Sequence, residues 1–330
     1  MMDLSIPYYE DNTRTSNSSI GWFLKEGPIG YKRRLDGIVQ NETGRALEKG
    51  TMIHEYILQP EEFNNDYVVF TGSKPTSTNQ QKFCEYLINS TEIEPEKALL
   101  SAYKRSYSIV GKTEATMLSE ATKMASTLKD YIDVLRDGRA IISQYDVQKC
   151  ETCLQNIKDH KMASVLLNDS NYEEHHEFHI NWEKNGVRCK SLLDCVKFDF
   201  KNKKCQLIDL KTTVKLWHFQ DSVLQYDYLR QLCFYWMAIK WYLENERGED
   251  PEKWTVEFYI IGIDSTNFSD IRVFKFTLNE VLQREGTIID TLFRIAWHTK
   301  ENKWEHTVEY YLGDGCETLQ ELFEDATTHE

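Results

Sequence analysis

The sequence predicts an α/β fold in which a mixed sheet is flanked by helices and preceded by a helical N-terminal part. Three observations predict this fold. Apolar residues recur at helical spacing early in the chain, and from residue 177 onward strand-like runs are interspersed with two helical patterns. In addition, Asn185-Gly186 joins two of the strand-like runs, and this dipeptide is a strong signal for a two-residue hairpin turn.

The N-terminal half of the chain predicts helices. Residues 19–25 form a short helical pattern, and residues 43–58 form a longer one that Pro60 ends. Residues 78–168 are polar and amphipathic, which indicates several helices in succession.

The C-terminal half predicts five strands and two helices. The strands are expected at 177–182, 187–200, 205–212, 254–263 and 271–276, and the helices at 224–243 and 278–297. We interpret residues 1–316 as a single domain with a helical insertion at about 78–168, and the acidic residues 317–330 as a tail.

The composition is that of an ordinary globular chain, with 330 residues of which 41% are hydrophobic. No apolar run approaches the roughly 20 residues that span a bilayer, and the first residues lack the layout of a signal peptide. We therefore expect a cytoplasmic protein whose cysteines are reduced. Cys150 and Cys153 have C-x-x-C spacing, but no further ligands at matching spacing suggest a structural zinc site.

The net charge of −14 argues at first sight against a nucleic-acid partner, because phosphate binding relies on Lys and Arg. For an enzyme, however, the relevant question is whether positive charge gathers on one surface and whether metal ions neutralise the local carboxylates. Lys32-Arg33-Arg34 is one such cluster, although clusters of this kind are more often solvated faces.

Charged residues interrupt two neighbouring apolar strands. Asp209 and Lys211 are two residues apart, so an extended chain points both side chains the same way. Asp194 lies inside the preceding predicted strand. Charged groups among apolar neighbours cost free energy unless they are paired or bind a metal. Two carboxylates and a lysine suit Mg²⁺ or Mn²⁺, whereas an isolated D-x-K sequence is more often a salt bridge.

Three further residues favour the metal site over the salt bridge. Gln231 and Tyr235 are four residues apart and share one face of a predicted helix. His54 follows Gly50 on the predicted N-terminal helix, although a lone histidine is more often structural.

In this order, the motifs resemble the PD-(D/E)xK nuclease superfamily and, within it, the RecB-like branch. That branch carries G-x-x-x-H, a metal-binding Asp, D-x-K and Q-x-x-x-Y, which correspond here to residues 50–54, Asp194, residues 209–211 and residues 231–235. The sequence is more similar still to the nuclease domain of RecE-type phage exonucleases (exodeoxyribonuclease VIII). The matching motifs are residues 58–63, 209–213 and 226–228, and the similarity covers roughly residues 8 to 277.

The resemblance implies a role for each candidate residue. The metal ligands would be His54, Asp194, Asp209 and the backbone carbonyl of Leu210, with Glu177 as a further candidate. Lys211 would be the catalytic lysine, and Gln231 and Tyr235 would support it, the carboxylates or the DNA. The residues expected to contact DNA are Lys32, Arg33, Arg34, Thr212, Thr213 and Tyr228.

The resemblance also implies an activity. We expect a Mg²⁺-dependent exonuclease, with Mn²⁺ as a substitute, that degrades linear duplex DNA from its ends in the 5′ to 3′ direction. The product would be single-strand overhangs for phage-type recombination. A ring-shaped homotetramer, a single-strand annealing protein as partner, and a phage or prophage origin in a bacterial host are implied in the same way. No iron–sulfur cluster is expected, because Cys316 is the single cysteine after Tyr235.

Two alternatives remain open at this point. One keeps the fold and changes the substrate, giving a single-strand or structure-specific nuclease of repair or DNA packaging. The other is an inactive DNA-binding scaffold, which the intact set of two acids and a lysine argues against.

Overall fold

A computed structural model describes residues 6, 8–39, 45–168, 171–266 and 270–317. The first five residues, the predicted helix start at residue 43 and the predicted tail after residue 317 lie outside the described residues. The chain divides into two compact units, one formed by residues 1–54 and 155–330 and the other by residues 55–154. The interpretation of residues 1–316 as a single domain stays a prediction.

The described residues form helices and strands in the following order. The N-terminal elements are α1 (Asn17–Leu35), α2 (Arg45–Leu58), α3 (Pro60–Asp66), β1 (Tyr67–Val69), α4 (Thr78–Ile88), α5 (Pro95–Ser106), α6 (Glu114–Thr127), α7 (Lys129–Asp137), β2 (Ala140–Ile142), α8 (Gln144–Asp159) and α9 (Lys161–Asn168). The C-terminal elements are β3 (Glu173–Lys184), β4 (Val187–Asp199), β5 (Lys204–Thr213), α10 (Phe219–Tyr226), α11 (Tyr228–Asn245), β6 (Thr255–Asp264), β7 (Ile271–Phe276), α12 (Leu278–Leu282), α13 (Glu285–Glu301) and α14 (Val308–Leu312).

The first unit is built on a five-stranded mixed sheet in the order β3-β4-β5-β6-β7. β5 and β6 are parallel, because α10 and α11 carry the chain back across the sheet, and the other three pairs are antiparallel. Asn185 and Gly186 have φ of 54° and 76°, the left-handed conformation that a tight hairpin between β3 and β4 requires. The predicted α/β fold with a mixed sheet flanked by helices is therefore confirmed.

The ladder between β4 and β5 is shorter than either strand. It ends at the pair Cys195↔Ile208, on the side of the active-site candidates. Beyond that point Thr15 takes the free edge of β4, since its N–H donates to Arg188 O and its carbonyl accepts from Lys190 N, both at 2.9 Å. The two strands that carry the predicted carboxylates therefore stop pairing where those carboxylates lie.

The predicted helix 224–243 is wrong in one respect, because Asp227 divides it into α10 and α11. Asp227 adopts the left-handed conformation with φ 48° and ψ 57°, which aspartate tolerates better than most residues. Its carboxylate accepts a hydrogen bond from Arg284 Nε at 2.8 Å, and Arg230 lies 3.8 Å away. These two arginines hold the break in place.

Two other helix predictions need correction. The predicted helix 278–297 is interrupted between α12 and α13 at residues 283–284. The first helix does not end near residue 25. Gly27, with a left-handed φ of 72°, kinks it, and the helix resumes at Pro28 and continues to Leu35. Proline is tolerated there because it stands in the first turn after the kink.

Helix α11 forms the centre of the core in the first unit. Its residues 232–239 are all buried, as expected for a helix that packs on several sides. Aromatic contacts join it to the sheet, with ring centroids 4.8 Å apart for Trp182–Phe234 and 5.1 Å apart for Phe178–Tyr242. Helices α1 and α13 contact its remaining surface.

The second unit has its own core. The helices that the sequence predicts within residues 78–168 are present. Helices α4 to α7 enclose a cluster that includes Phe83, Tyr103 and Met117, and β1 pairs with β2 in parallel. Cys150 and Cys153 are buried in α8, and burial raises the pKa of both thiols to about 12. No helix among the described residues is long and apolar enough to cross a membrane.

Candidate active site

A cleft of 890 Å³ opens at the end of β5 where the chain leaves the sheet. Residues from β5, α2 and α10 line it, together with the start of α11. The candidate residues among its lining are His54, Leu210, Lys211, Thr212, Thr213 and Tyr228. Sequence positions far apart in the chain, from α2 to α11, therefore meet at one cleft.

Asp194 is held at the point where β4 and β5 cease to pair. Its Oδ2 accepts a hydrogen bond from the backbone N–H of Leu210 at 2.7 Å. The carboxylate thus takes the place of a strand partner, which fixes it beside the D-x-K strand. Burial raises the pKa of Asp194, against the opposing effects of Lys211 and of the Leu210 N–H.

Asp209 and Lys211 form the pair that the strand periodicity predicts. Lys211 Nζ lies 2.6 Å from Asp209 Oδ2, and the Asp209 side chain is 1% exposed. Oδ2 makes no hydrogen bond of good angular geometry, so its partner is the charge of the ammonium group. Burial raises the pKa of Asp209 to about 6 even though Lys211 opposes the shift. Burial lowers the pKa of Lys211, but Asp209 and Asp194 outweigh it, and the net shift is upward.

Gln231 connects β5 to α11. Its Nε2 donates to Asp209 Oδ1 at 3.1 Å and to the Tyr235 hydroxyl at 2.8 Å. The i, i+4 spacing places the amide and the phenol on one helical face, as predicted. Tyr235 is buried, and burial raises its pKa well above the ordinary value, so the hydroxyl stays protonated.

His54 approaches the carboxylates from α2. Its Nδ1 lies 3.7 Å from Asp194 Oδ2. Burial, followed by the positive charge of Lys211, lowers the pKa of His54 to about 4, so the ring is neutral at pH 7 and can act as a ligand. The motif's glycine has a steric reason: a Cβ on Gly50 would lie 3.0 Å from Thr212 Oγ1.

Glu177 stands opposite Asp194 on the neighbouring strand. The β3–β4 ladder pairs His176 with Cys195 and Phe178 with Leu193, and it skips the position between them. At this skipped position Glu177 has a φ of 45°, a conformation that is uncommon for a residue other than glycine. Strained backbone of this kind concentrates at functional sites.

The sequence matches the family described as a PDDEXK-like domain of unknown function (DUF3799) over residues 16–311. The chain belongs to this family. No protein with a curated description matches it. A crystal structure from Eubacterium rectale, provisionally described as an exonuclease, is 15% identical, with a TM-score of 0.46, and the likeness covers 94% of this chain and 91% of that chain.

The PDDEXK-like site has donors that fit a divalent cation. The neutral imidazole of His54 and the carboxylates of Asp194 and Asp209 supply nitrogen and oxygen ligands, and Asp209 Oδ2 accepts no hydrogen bond; with Lys211 the set carries one net negative charge. The ligand atoms of His54, Asp194 and Asp209 do not all lie within 4.8 Å of one another. Among the described residues, the ligand atoms of Glu174, His176 and Cys195 do. The latter group is poor for a cation, because the Lys197 ammonium lies 2.8 Å from Glu174 Oε2.

The predicted DNA contacts fall into two places. Thr212, Thr213 and Tyr228 line the cleft, as described above. Lys32 instead lines a separate cavity of 520 Å³ and pairs with Asp36, and Arg34 binds Glu26 at 2.7 Å. Arg33 lies between them in the last turn of α1. A DNA contact at this cluster stays a prediction.

Several cleft residues of the PDDEXK-like domain were missed in the sequence. Lys49 and Lys215 add positive charge to the lining, and Tyr9 and Tyr226 add exposed rings. The signal available was their position next to the motifs, since Lys49 precedes Gly50 and Lys215 follows the D-x-K strand by a few residues. Periodicity gives no information about such positions, because it does not show which exposed side chains face a cleft.

Proposed function

We propose that this protein is a metal-dependent deoxyribonuclease that acts on DNA ends, an exonuclease of the RecE type. The observation that carries the proposal is the series of close contacts that joins His54 to Asp194, Asp194 to the D-x-K strand and Asp209 to Lys211, at a cleft that His54 and Lys211 line, with Gln231 behind Asp209. Family membership supports the nuclease class. The RecE-like motifs of the sequence support the exonuclease activity, the preference for linear duplex ends and the 5′ to 3′ direction.

The cleft has the charges that hydrolysis of a phosphodiester needs. A Mg²⁺ ion held by Asp194, Asp209, His54 and the Leu210 carbonyl would polarise a phosphate oxygen and lower the pKa of an attacking water. Lys211 keeps its proton at pH 7, so its ammonium group can donate to a phosphate oxygen or orient a water. Asp209 holds that ammonium at 2.6 Å and thereby directs it.

The surrounding residues position the DNA backbone. Thr212 and Thr213 offer hydroxyl donors at the end of the catalytic strand, and Lys49 and Lys215 offer positive charge on the cleft wall. These local charges reconcile DNA binding with the overall charge of −14, because only the charge around the cleft meets the phosphates. Glu177, opposite Asp194, is a further candidate ligand.

The test uses end-labelled linear duplex, nicked circles and single strands, with Mg²⁺ or Mn²⁺. The wild-type protein should release nucleotides from linear duplex, and Asp209→Asn or Lys211→Ala should reduce the rate by about 10²- to 10³-fold. Asp221→Asn is the matched control, because Asp221 is exposed on α10 and lies outside the cleft lining. Unchanged cleavage by the Asp209 or Lys211 variant would contradict the assignment of the site.

The same experiment separates the alternatives. Preference for single strands or branched substrates would favour a structure-specific nuclease, and binding without cleavage would favour an inactive scaffold. The label that is released first gives the polarity. Light scattering would test the homotetramer, and pull-down with a single-strand annealing protein would test the proposed partner in recombination.

A further inference from the structure

A column of four aromatic rings leads from the cleft into the core. Tyr226 stacks on Tyr228 with centroids 5.7 Å apart and planes 22° apart. Tyr228 lies 5.8 Å from Phe219 at 31°, and Phe219 stacks on Phe274 at 4.3 Å and 11°. Phe219 is buried, whereas Tyr226 is 57% exposed. The column is therefore buried at Phe219 and open to solvent at Tyr226.

The break between α10 and α11 brings the two outer rings together. In an uninterrupted helix, residues two apart point to different sides. The left-handed Asp227 between Tyr226 and Tyr228 reverses this arrangement, and Arg284 holds its carboxylate at 2.8 Å. The parallel pair of rings is thus a consequence of a specific backbone feature.

The open end of the column lies beside the proposed chemistry. Lys211 Nζ is 5.3 Å from the centroid of the Tyr228 ring, on which Tyr226 stacks. Both tyrosines line the cleft, together with Lys215 and Lys49. An exposed planar face next to positive charge complements a nucleotide, which has a planar base and a negative phosphate.

We propose that the outer face of Tyr226 stacks on the base of the nucleotide adjacent to the scissile phosphate. This inference rests on the proposed function and deepens it, because it assigns a place to a base as well as to the phosphate. The proposal includes that the base is unpaired when it stacks, so that the substrate at the active site is a frayed strand end even when the DNA that arrives is a duplex. Stacking also explains how the enzyme could act on any sequence, since every base offers a π-face.

The test measures binding separately from cleavage, in an Asp209→Asn background that does not consume the DNA. Probes are oligonucleotides with a frayed end that carry either a normal base or an abasic analogue at one of the terminal positions. Tyr226→Ala should weaken binding of the normal probe by roughly 5- to 150-fold, the range of one base–aromatic stack. The abasic analogue should weaken binding to the parent protein to a similar extent at one position, and the two changes together should cost no more than either alone.

Three controls make the outcome specific. Tyr226→Phe and Tyr226→Trp keep a ring and should retain affinity, which separates stacking from loss of structure. Phe293→Ala removes another exposed ring, 58% exposed on α13 and outside the cleft lining, and should leave affinity unchanged.

The results distinguish the two proposals. If the wild-type protein cleaves DNA but Tyr226→Ala leaves binding unchanged in the Asp209→Asn background, the stacking is overturned and the nuclease stands. Additive losses from Tyr226→Ala and the abasic analogue would also overturn the stacking. If the wild-type protein neither binds nor cleaves any of the DNA substrates, the proposed function fails and the stacking with it.

Discussion

Gln231 Nε2 donates a hydrogen bond to Asp209 Oδ1 across 3.1 Å. The same amide donates to the buried Tyr235 hydroxyl. This second hydrogen bond fixes the orientation of the Gln231 amide, which in turn holds the Asp209 carboxylate. Groups that orient a ligand in this way are often as important as the ligand itself. Asp209 is thereby held from both sides, by Lys211 at one oxygen and by Gln231 at the other.

Replacement of Gln231 by Leu should lower nuclease activity by about 10- to 100-fold, because Asp209 Oδ1 loses its donor while the core volume is kept. The loss should appear partly as a higher Mg²⁺ concentration for half-maximal rate. Gln220→Leu, at an exposed position of α10, is the control. An unchanged Mg²⁺ dependence in the Gln231 variant would show that the hydrogen bond has no part in positioning the carboxylate.

The central part of the site could be predicted from the sequence because it depends on local periodicity. Asp209 and Lys211 share a face in any extended strand, and Gln231 and Tyr235 share a face in any helix. Their order along the chain then matched a known arrangement. The strands of the sheet were predicted for the same reason, since alternating polarity and the Asn-Gly turn are local signals.

The features that escaped prediction depend on contacts between distant residues. The break at Asp227 lies inside a continuous helical pattern, and the arginine that stabilises it, Arg284, comes 57 positions later. The end of the β4–β5 ladder and its replacement by Thr15 likewise join remote segments. Lys49 and Tyr226 line the cleft because of where α2 and α10 pack, which periodicity does not encode.

Gly50→Ala should lower activity by up to about 10-fold without loss of stability. A Cβ at this position would lie 3.0 Å from Thr212 Oγ1, so α2 must move by a few tenths of an ångström and carry His54 with it. Alanine itself favours the helix by up to about 1 kcal/mol, which offsets the strain. Steady-state rates and urea unfolding of the variant would measure the two effects.

The steric cause can be checked with a second substitution. Thr212→Ala removes Oγ1, so Gly50→Ala should cost less activity in that background than in the wild-type protein. The single Thr212→Ala variant is the reference, because Thr212 is itself a predicted DNA contact. Equal losses in both backgrounds would mean that Gly50 is required for another reason.

Glu174 and Lys197 should respond unequally to substitution. The Lys197 side chain is fully buried and lies 2.8 Å from Glu174 Oε2, whereas the Glu174 side chain is 24% exposed and also contacts His176. Glu174→Gln leaves a buried ammonium without a counter-charge and should lower the free energy of unfolding by about 3–5 kcal/mol. Lys197→Met leaves a carboxylate that water reaches, and it should cost less than about 2 kcal/mol. Urea unfolding at pH 7 would measure both, and equal losses would contradict the asymmetry.

The contribution of Glu174 to stability should also depend on pH. Burial raises the pKa of Glu174, but the hydrogen bonds with His176 and Lys197 and the charge of Lys197 outweigh it, and the net pKa is lowered. A carboxylate with a lowered pKa in the folded state stabilises the protein fully above its unfolded pKa of about 4.3, and the effect is lost as the pH falls through the folded pKa. The difference in unfolding free energy between wild type and Glu174→Gln should therefore shrink as the pH falls below about pH 4. Urea titrations from about pH 7 to about pH 3 would measure it, with Gln220→Leu, which changes no titratable group, as the control. A difference that widens at low pH would mean that the carboxylate is stabilised in its protonated form.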